Sequence, residues 1–555
     1  MQVRVLSRSM AAFRLMQKHA RTSTMSWRAT AATNCGLNKL LGALCVATLA
    51  LPLAARAQSG PDLASILAAR KTAIAAMHAR DAQSVELIGM VSGAALQGNF
   101  HSWRSGGNQR YDENTGVRRE SNLRLDGREY AVNENGAIRE LRGLLLQRQR
   151  TQDFIESDGF VTEPQYDRFL GAQQLPDGRD VYAIAVAPPQ GQSETIYLDR
   201  KTAMLDRVAY DDTDGTDTQD YYDYKLFAGV LIAQRSVESN GDHAFDLTRE
   251  TVNVIVDRPI AADIFTLPEA PAVQTAVPVT VPLEVRDAHD YVRLGIAGHE
   301  YTFLLDSGAQ AVVLDAHVAK EAGLTPQGQL EVAGAQRTGG LGVAALDSIQ
   351  IGGVALPVRM VTVLDLRGVT GALPIDGILG YPFFAAAEIR MDPDAQTMTF
   401  AKPGALKPEG TSFNVDTDRE LVELQARING TDGRFVIDTG NGNELLVYSP
   451  FIRAHAGLIE YAGGQFAGNM GVGGSASAVG AVVAELDIGP FRFFNNSANV
   501  MLSTQGAFAD RFAAGNIGLG LLRNFVLTFD LANAKLYAKP AAHFDDGRYR
   551  TVRQQ

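Results

Sequence analysis

Cysteine is scarce in this sequence: among 555 residues there are only Cys35 and Cys45. The chain after residue 45 contains no cysteine, so it can form neither an internal disulfide nor a thiolate metal site. A cysteine nucleophile is excluded there for the same reason. Any chemistry in the body of the chain must therefore use other side chains.

Long apolar runs are also scarce, and the longest covers residues 40–55. This run is too short to cross a membrane comfortably as a helix. It follows Lys39 and ends in Ala55-Arg56-Ala57, the small-residue pattern of a signal-peptide cleavage site. We therefore predict a signal peptide over residues 1–57, export to the periplasm or the medium, and no membrane span.

Basic residues are fewer than acidic ones, which gives a net charge of −11. The predicted signal peptide contains eight basic and no acidic residues, so its removal would leave a charge of −19. Such an acidic chain is not expected to bind nucleic acid or anionic membranes by charge. The nine histidines show no zinc-binding spacing, and no serine elbow or phosphate loop is present. We expect no metal and no cofactor.

The most informative feature is a repeated acidic motif, at residues 303–308 and again at residues 435–440. In each copy an apolar run ends in Asp, then a hydroxyl residue, then Gly. One such tripeptide is an ordinary turn, but the flanking sequence repeats as well. Residues 289–300 parallel 419–430, residues 347–356 parallel 485–493, and the closing apolar-Gly segments are 377–380 and 517–520. A duplicated β unit with one acid per copy predicts two lobes.

These motifs resemble the retropepsin-like aspartic proteases, which carry Asp-Ser/Thr-Gly and a later aliphatic-aliphatic-Gly in every lobe. The resemblance covers about half of the chain and implies that Asp306 and Asp438 are a catalytic pair. It also implies supporting and flap roles for further residues. The supporting residues are Ser307, Gly308, Thr439, Gly440, Gly380 and Gly520; the flap candidates are Gly339, Gly340, Gly471 and Gly473.

The predicted roles of the supporting residues follow from their chemistry. Gly308 and Gly440 let two loops approach without a Cβ between them. Ser307 and Thr439 are suited to hydrogen bonds across the lobe junction, which is the role of this residue in the family resembled. The segments that end in Gly380 and Gly520 are expected to pack beneath the acid loops.

Two features depart from the family pattern. Gly518 stands where an aliphatic residue is usual before Leu519-Gly520, unless Ile517 shifts to fill that place. The residues after the acid motifs, Ala309-Gln310 and Asn441-Gly442, differ from the usual small hydroxyl residue. A misalignment of the acids by one ångström would cost most of the rate.

The residues before the repeat predict a helix over 61–80, from an apolar stripe after Pro61, and then many strands up to residue 267. The strand region diffusely resembles the half-barrels of periplasmic lipoprotein carriers. This resemblance implies a concave face that would hold a lipid, an acyl chain or a peptide tail; a structural prodomain or spacer is the alternative. The acidic stretch 211–217 lacks the later Glu of a calcium loop, so it predicts a solvated hairpin tip.

The resulting fold class is mainly β: a curved antiparallel half-barrel-like domain followed by two acid-protease lobes. The predicted divisions are a half-barrel domain at 58–267, a linker at 268–282, lobe one at 283–403, lobe two at 404–541 and a tail at 542–555. The predicted function is hydrolysis of a peptide or protein substrate by an exported aspartic endopeptidase. The alternatives are a catalytically weak peptide clamp, a lipid or lipoprotein carrier that acts through the N-terminal domain, and a protease site formed between two chains.

Overall fold

The computed structural model describes residues 61–334, 337–367, 375–471, 474–544 and 549–551. Strands dominate these residues, which confirms the mainly β fold class. The predicted signal peptide, residues 1–57, lies outside the described ranges. No helix in the described part of the chain is long and apolar enough to cross a membrane.

The N-terminal half contains one antiparallel sheet, in which thirteen strands are described. The strands are β1 Ser84–Gly93, β2 Leu96–Ser105, β3 Asn108–Asn114, β4 Arg119–Leu125, β5 Arg128–Val132, β6 Ile138–Glu140, β7 Asp167–Gln174, β8 Asp180–Val186, β9 Glu194–Asp199, β10 Leu205–Asp211, β11 Thr216–Phe227, β12 Val230–Ser239 and β13 Leu247–Val256. Two meanders, β1 to β6 and β7 to β13, are joined where β1 pairs with β13.

Three helices accompany this sheet: α1 Leu63–Ala76, α2 Leu144–Glu156 and α3 Gly159–Thr162. Asp62 is the N-cap of α1 and accepts a hydrogen bond from the Ser65 N–H at 2.9 Å. The helix ends before the predicted residue 80, since His78 has a positive φ of 51°. Ile66 and Leu67 of α1 pack into a core that α2, α3 and β8 to β12 share.

The C-terminal half contains two larger sheets and a smaller one. The ten described strands of the first are β15 Glu284–Arg286, β16 His289–Ile296, β17 His299–Leu305, β18 Val313–Asp315, β19 Gln327–Ala333, β20 Arg337–Ala345, β21 Ile349–Ile351, β22 Val354–Ala355, β23 Met360–Leu364 and β24 Gly377–Leu379. The eight of the second are β28 Glu423–Ile428, β29 Thr431–Asp438, β30 Leu445–Val447, β31 Glu460–Gly471, β32 Gly474–Ile488, β33 Phe491–Met501, β34 Gly515–Gly518 and β37 Tyr549–Thr551. Short helices in this half are α4 Ala316–Glu321, α5 Tyr381–Ala386, α6 Ser449–Ala454 and α7 Leu519–Leu522.

The smaller sheet joins the two lobes. Its strands are β14 Val279–Pro282, β25 Glu388–Asp392, β26 Thr397–Ala401, β27 Thr411–Asn414, β35 Phe525–Asp530 and β36 Lys535–Pro540. The lobes meet where β25 pairs with β35, and the rings of Phe384 and Phe529 contact at 5.0 Å between centroids. One continuous hydrophobic core therefore runs through both lobes.

Two elements lie in segments for which the sequence predicted no structure. Strand β14 occupies the end of the predicted linker 268–282, and β37 lies in the predicted tail 542–555 and pairs with β33. The domain boundaries themselves stay predictions.

The N-terminal half packs against lobe two through polar contacts at the start of α2. The carboxylate of Asp418 accepts hydrogen bonds from the backbone N–H groups of Arg142, Gly143 and Leu145, at the start of α2. It acts as the cap that α2 does not have in its own sequence, since Gly143 has no side chain to offer. An Arg139–Glu420 ion pair at 2.9 Å lies beside it, with both side chains buried.

The acidic hairpin tip is not solvated, so that prediction was wrong. Residues 212–215 form the turn between β10 and β11, and of the aspartates in this stretch Asp212 and Asp214 are buried, whereas Asp211 is exposed. The Asp214 carboxylate accepts a hydrogen bond from the Gly506 N–H of lobe two, and Asp211 pairs with Arg511 at 2.8 Å. The acidic residues of this tip are used for contact between the halves of the molecule.

The buried Glu194, at the start of β9, is expected to make the folded state less stable as the pH rises. It is buried, and neither carboxylate oxygen has a hydrogen-bond partner within the described residues. Burial raises its pKa from 4.5 to about 8, although the charge of Arg148 opposes the shift. The folded state therefore binds more protons than the unfolded state between those values, and stability is lost as the pH rises from about 4.5 to 8.

We expect Glu194→Gln to remove this loss and to raise the free energy of unfolding at pH 8.5 by about 2–4 kcal/mol. Chemical denaturation at pH 5 and pH 8.5 measures it. Glu250→Gln, an exposed glutamate of the same sheet, is the control and should change neither value. An equal pH slope in Glu194→Gln and the unmodified protein would contradict the prediction.

Candidate active site

Equivalent strands of the two lobes carry the two acids. Asp306 directly follows β17, and Asp438 is the last residue of β29. Strand β24 runs parallel to β17, with Leu305 opposite Leu379, and β34 runs parallel to β29, with Ile437 opposite Ile517. Each acid therefore emerges at the end of a strand that is buried between neighbours.

The structure brings the two acid loops of one chain into direct contact. A Cβ added to Gly308 would lie 2.6 Å from Cγ of Asp438, and one added to Gly440 would lie 2.2 Å from Cγ of Asp306. Both distances are far below van der Waals contact, so only glycine fits at either position. The alternative of a site formed between two chains is not needed to bring the acids together.

The electrostatics of the pair favour a shared proton. The carboxyls of Asp306 and Asp438 are close enough to interact directly. Burial raises the pKa of both carboxyls, and the charge of one adds to the effect on the other. One oxygen of each accepts a backbone N–H: from Gly308 at 2.8 Å and from Gly440 at 3.0 Å. The pair is thus expected to hold one proton over a range of pH.

Ser307 and Thr439 form reciprocal hydrogen bonds across the lobe junction. The Ser307 N–H donates to Oγ1 of Thr439 at 2.9 Å, and the Thr439 N–H donates to Oγ of Ser307 at 3.1 Å. Each hydroxyl donates in turn to a carbonyl of the opposite lobe, Ser307 to Ile437 at 2.7 Å and Thr439 to Leu305 at 2.9 Å. All four bonds are buried and connect the backbones beside the acids.

Thr439→Val tests the strength of this junction. The valine has the same shape but leaves the Ser307 N–H without an acceptor and the Leu305 carbonyl without a donor. We expect the free energy of unfolding to fall by about 2–5 kcal/mol, since each buried unpaired group costs about 1–3 kcal/mol. Denaturant unfolding measures it. Thr399→Val, which removes an exposed hydroxyl contact to Thr280, should cost far less; equal losses would contradict the prediction.

The predicted closing glycine of lobe two was misplaced by two residues. Gly380 lies so close to the acid loop that a Cβ would be 2.5 Å from the Ala309 carbonyl oxygen. In lobe two, Gly518 has this place, because its Cβ would lie 2.5 Å from the Asn441 carbonyl oxygen. Both glycines precede a short helix, α5 or α7, and Gly520 lies inside α7. The aliphatic-aliphatic-Gly of lobe one thus corresponds to Asn516-Ile517-Gly518.

The flap candidates lie in or beside hairpins, as the glycine-rich sequence indicated. Gly339 and Gly340 lie in β20, which pairs with β19. Gly471 ends β31 and pairs with Gly474 of β32, whereas Gly473 lies outside the described residues. Near the tip of the first hairpin, the Gly334 carbonyl accepts a hydrogen bond from the Ala507 N–H of lobe two at 3.0 Å. Their function as flaps stays a prediction.

Sequence reasoning missed Asn516, whose side chain contacts the acid pair. Its Nδ2 donates to Oδ2 of Asp438 at 2.6 Å, and its Oδ1 accepts from Nδ2 of Asn441 at 2.7 Å. Asn516 is buried. The signal was present in the repeat, because the correct alignment puts Asn516 at the position of Ile378 and Asn441 at that of Ala309.

Within the described ranges, no group of three or more His, Cys, Asp or Glu side chains is arranged to hold a metal ion.

The family model described as "Aspartyl protease" matches residues 292–383. The search of curated proteins found no match. Among solved structures, the chain is similar to an aspartic proteinase from Irpex lacteus at 12% identity, over 49% of this chain and 100% of that one, with a TM-score of 0.31.

Two further solved structures are similar to this chain over a smaller share of its length. One is a LolA superfamily protein from Nitrosomonas europaea, at 13% identity over 37% of this chain and 98% of that one, with a TM-score of 0.26. The other is a DUF1329 family protein from Desulfovibrio piger, at 12% identity over 36% and 97%, with a TM-score of 0.27. The family match includes the Asp306 loop, and it confirms the predicted resemblance to the aspartic proteases for that segment of the chain.

Proposed function

We propose that this protein is an exported aspartic endopeptidase in which Asp306 and Asp438 are the catalytic pair. The observation that carries the proposal is the pair of half-buried carboxyls, one from each lobe, each of which lies against the glycine of the other acid loop, beside the Ser307–Thr439 junction. The family match over residues 292–383 supports it. Export by a signal peptide at 1–57 is part of the proposal; a mature N-terminus at Gln58 would support it, and an uncleaved chain in the cytoplasm would refute it.

Two carboxyls that share one proton can hydrolyse a peptide bond without a covalent intermediate. The ionised member takes a proton from a water molecule, whose oxygen attacks the peptide carbonyl carbon. The protonated member gives its proton to the carbonyl oxygen, which otherwise would develop a negative charge. Collapse of the resulting diol breaks the C–N bond: the amide nitrogen takes up the proton from the base, and the other carboxylate takes a proton from a diol hydroxyl, which becomes the carbonyl of the new acid. The pair returns to its starting state with one proton.

Cleavage of an unfolded, fluorescently labelled protein by the full chain between pH 3 and pH 8 tests the proposal. We expect a bell-shaped pH profile, because activity needs one and only one proton on the pair. A statine-type peptide, which imitates the diol, should block cleavage. If the folded protein cleaves nothing in this range but binds the peptide tightly, the peptide-clamp alternative replaces the enzyme.

The carrier alternative concerns a cavity of about 180 Å³ between the N-terminal sheet and lobe one. Charged side chains stand among apolar and uncharged polar residues in its lining. They include Arg118, Glu120, Arg139, Arg148, Arg249 and Glu420. These charged groups disfavour an acyl chain, which would displace water from them without replacing its hydrogen bonds. Mass spectrometry of an organic extract of the purified protein tests whether a lipid is bound. An acyl lipid present in a 1:1 ratio to the protein would support the carrier alternative.

A further inference from the structure

A chain of three amides leads to one acid only. The Asn443 N–H donates to Oδ1 of Asn441 at 2.9 Å, Nδ2 of Asn441 donates to Oδ1 of Asn516, and Nδ2 of Asn516 donates to Oδ2 of Asp438. The other oxygen of Asp438 accepts the Gly440 N–H. Both oxygens of Asp438 are therefore occupied by N–H donors.

The direction of these hydrogen bonds is fixed by the backbone. A peptide N–H can only donate, so the atom of Asn441 that faces the Asn443 N–H must be its carbonyl oxygen. The amide nitrogen of Asn441 then faces Asn516 and must meet the carbonyl oxygen there. What Asn516 presents to Asp438 is consequently its NH₂ group, which favours an ionised acceptor.

Lobe one has no equivalent of this chain among the described residues. In lobe one, Ile378 lies opposite Leu304 in the parallel ladder. The equivalent position in lobe two, opposite Val436, is occupied by Asn516. The residues three and five places after the acid are Ala309 and Ala311 in lobe one, against Asn441 and Asn443 in lobe two. The two acids, otherwise held by the same backbone contacts, thus differ by one side-chain donor.

Other titratable groups face the pair but do not replace this donor. The Tyr448 phenol of lobe two is buried, and burial with the charge of Asp438 raises its pKa, so that it stays neutral. His289 of lobe one acts on the Asp306 side and lowers the pKa of Asp306, against a larger effect of burial. His289 favours an ionised Asp306, and burial together with the charge of Asp306 raises the pKa of Asp438 well above its usual range, so the Asn516 donor has to act against these effects.

We propose that Asn516 is a positioning residue that stabilises the ionised form of Asp438 against the burial and the Asp306 charge that oppose it. Asp438 then takes the proton from the attacking water, and Asp306 donates its proton to the carbonyl oxygen of the peptide. When the C–N bond breaks, the proton on Asp438 passes to the leaving nitrogen and Asp306 recovers its proton from the hydroxyl of the diol. The assignment of roles rests on the proposed function, but the effect of Asn516 on ionisation does not.

The test uses variants with one acid left, in which ionisation is measured without turnover. In ¹³C-aspartate-labelled full-length Asp306→Asn, the carboxyl signal of Asp438 is followed by NMR against pH. Adding Asn516→Ile, which copies lobe one, should raise its ionisation midpoint by about one pH unit, as expected for loss of one hydrogen bond to a charged group. In Asp438→Asn, the same addition should leave the midpoint of Asp306 unchanged. Asn496→Leu, a buried amide of lobe two that donates only to carbonyls of its own lobe, is the control.

Turnover provides the second readout. With both acids present, Asn516→Ile should move the acid limb of the kcat/KM profile up by about one pH unit, an effect that mere loss of stability would not produce. Asn441→Ala, which removes the contact that orients Asn516, should move it in the same direction by less, and it carries the test if Asn516→Ile does not fold. Unshifted midpoints in folded variants would overturn the inference. A shifted midpoint in a chain that cleaves no peptide would refute the proposed function and leave the inference intact.

Discussion

Asp306→Asn and Asp438→Asn, each made alone, are expected to lower kcat/KM by about 10³–10⁴-fold. An asparagine at either position keeps the shape of the side chain but can neither take a proton from water nor supply one to the carbonyl oxygen. Both variants should nevertheless fold, because the Ser307–Thr439 junction and the backbone N–H contacts do not depend on a charge. Removing one of two half-buried carboxyls whose charges oppose each other should leave stability at neutral pH equal or higher.

The measurement is cleavage of the labelled protein at the optimum pH, beside denaturant unfolding of the same samples. Asp432→Asn is a matched control, since Asp432 lies in the same lobe, pairs with Arg427 on the surface and is exposed. It should retain full activity. If Asp306→Asn and Asp438→Asn both cleaved as fast as the unmodified protein, the two acids would have no part in the mechanism. Other side chains in the cleft would then be the candidates.

The repeat in the sequence predicted the two lobes, and the resemblance to the aspartic proteases predicted that their acids meet. An apolar strand that ends in Asp-Ser/Thr-Gly specifies its own local structure: the run is buried, the turn needs a small residue, and the carboxyl is left at the strand end. The missing Cβ at Gly308 and Gly440 indicated that the two loops could approach each other, and each glycine lies against the acid of the other lobe.

The register of lobe two could not be read from the sequence, because Ile517-Gly518-Leu519-Gly520 offers two glycines two residues apart. Strand pairing decides between them: Asp438 is opposite Gly518 in the parallel ladder of β29 and β34. A shift by two residues keeps each side chain on the same face of the strand, so the hydrophobic pattern cannot distinguish the two registers. The error concealed Asn516, which appeared to precede the motif when it is part of it.

Contacts between distant parts of the chain could also not be predicted from the sequence. Aspartates at 211–217 predict a solvated tip as long as no partner is known, and their partners lie almost three hundred residues later, at Gly506 and Arg511. The pairing of β25 with β35 is a second example. Local strand propensity does not determine which strand edge pairs with which. Such contacts depend on the folded shape of both partners.

Gly440→Ala is expected to inactivate the protein more completely than its single added methyl group suggests. Its φ lies outside the left-handed region, so backbone strain is not the cause. The cause is contact: the new Cβ would lie 2.2 Å from Cγ of Asp306, a carboxyl held in place by the Gly308 N–H. Either the Asp306 side chain must turn away from Asp438 or the lobes must separate. We expect a loss of kcat/KM of about 10²-fold or more and of stability by about 1–3 kcal/mol.

The comparison with Gly295→Ala isolates the contact from the general cost of replacing a glycine. Gly295 lies in a strand of lobe one, also outside the left-handed region, and an added Cβ there would meet nothing closer than 3.9 Å. This variant should keep its activity and its unfolding midpoint. Gly308→Ala, whose Cβ would lie 2.6 Å from Cγ of Asp438, should behave like Gly440→Ala in both assays. If Gly440→Ala cleaves as well as Gly295→Ala, the acid loops cannot be in contact in the active molecule, and the shared proton on which the mechanism depends loses its structural basis.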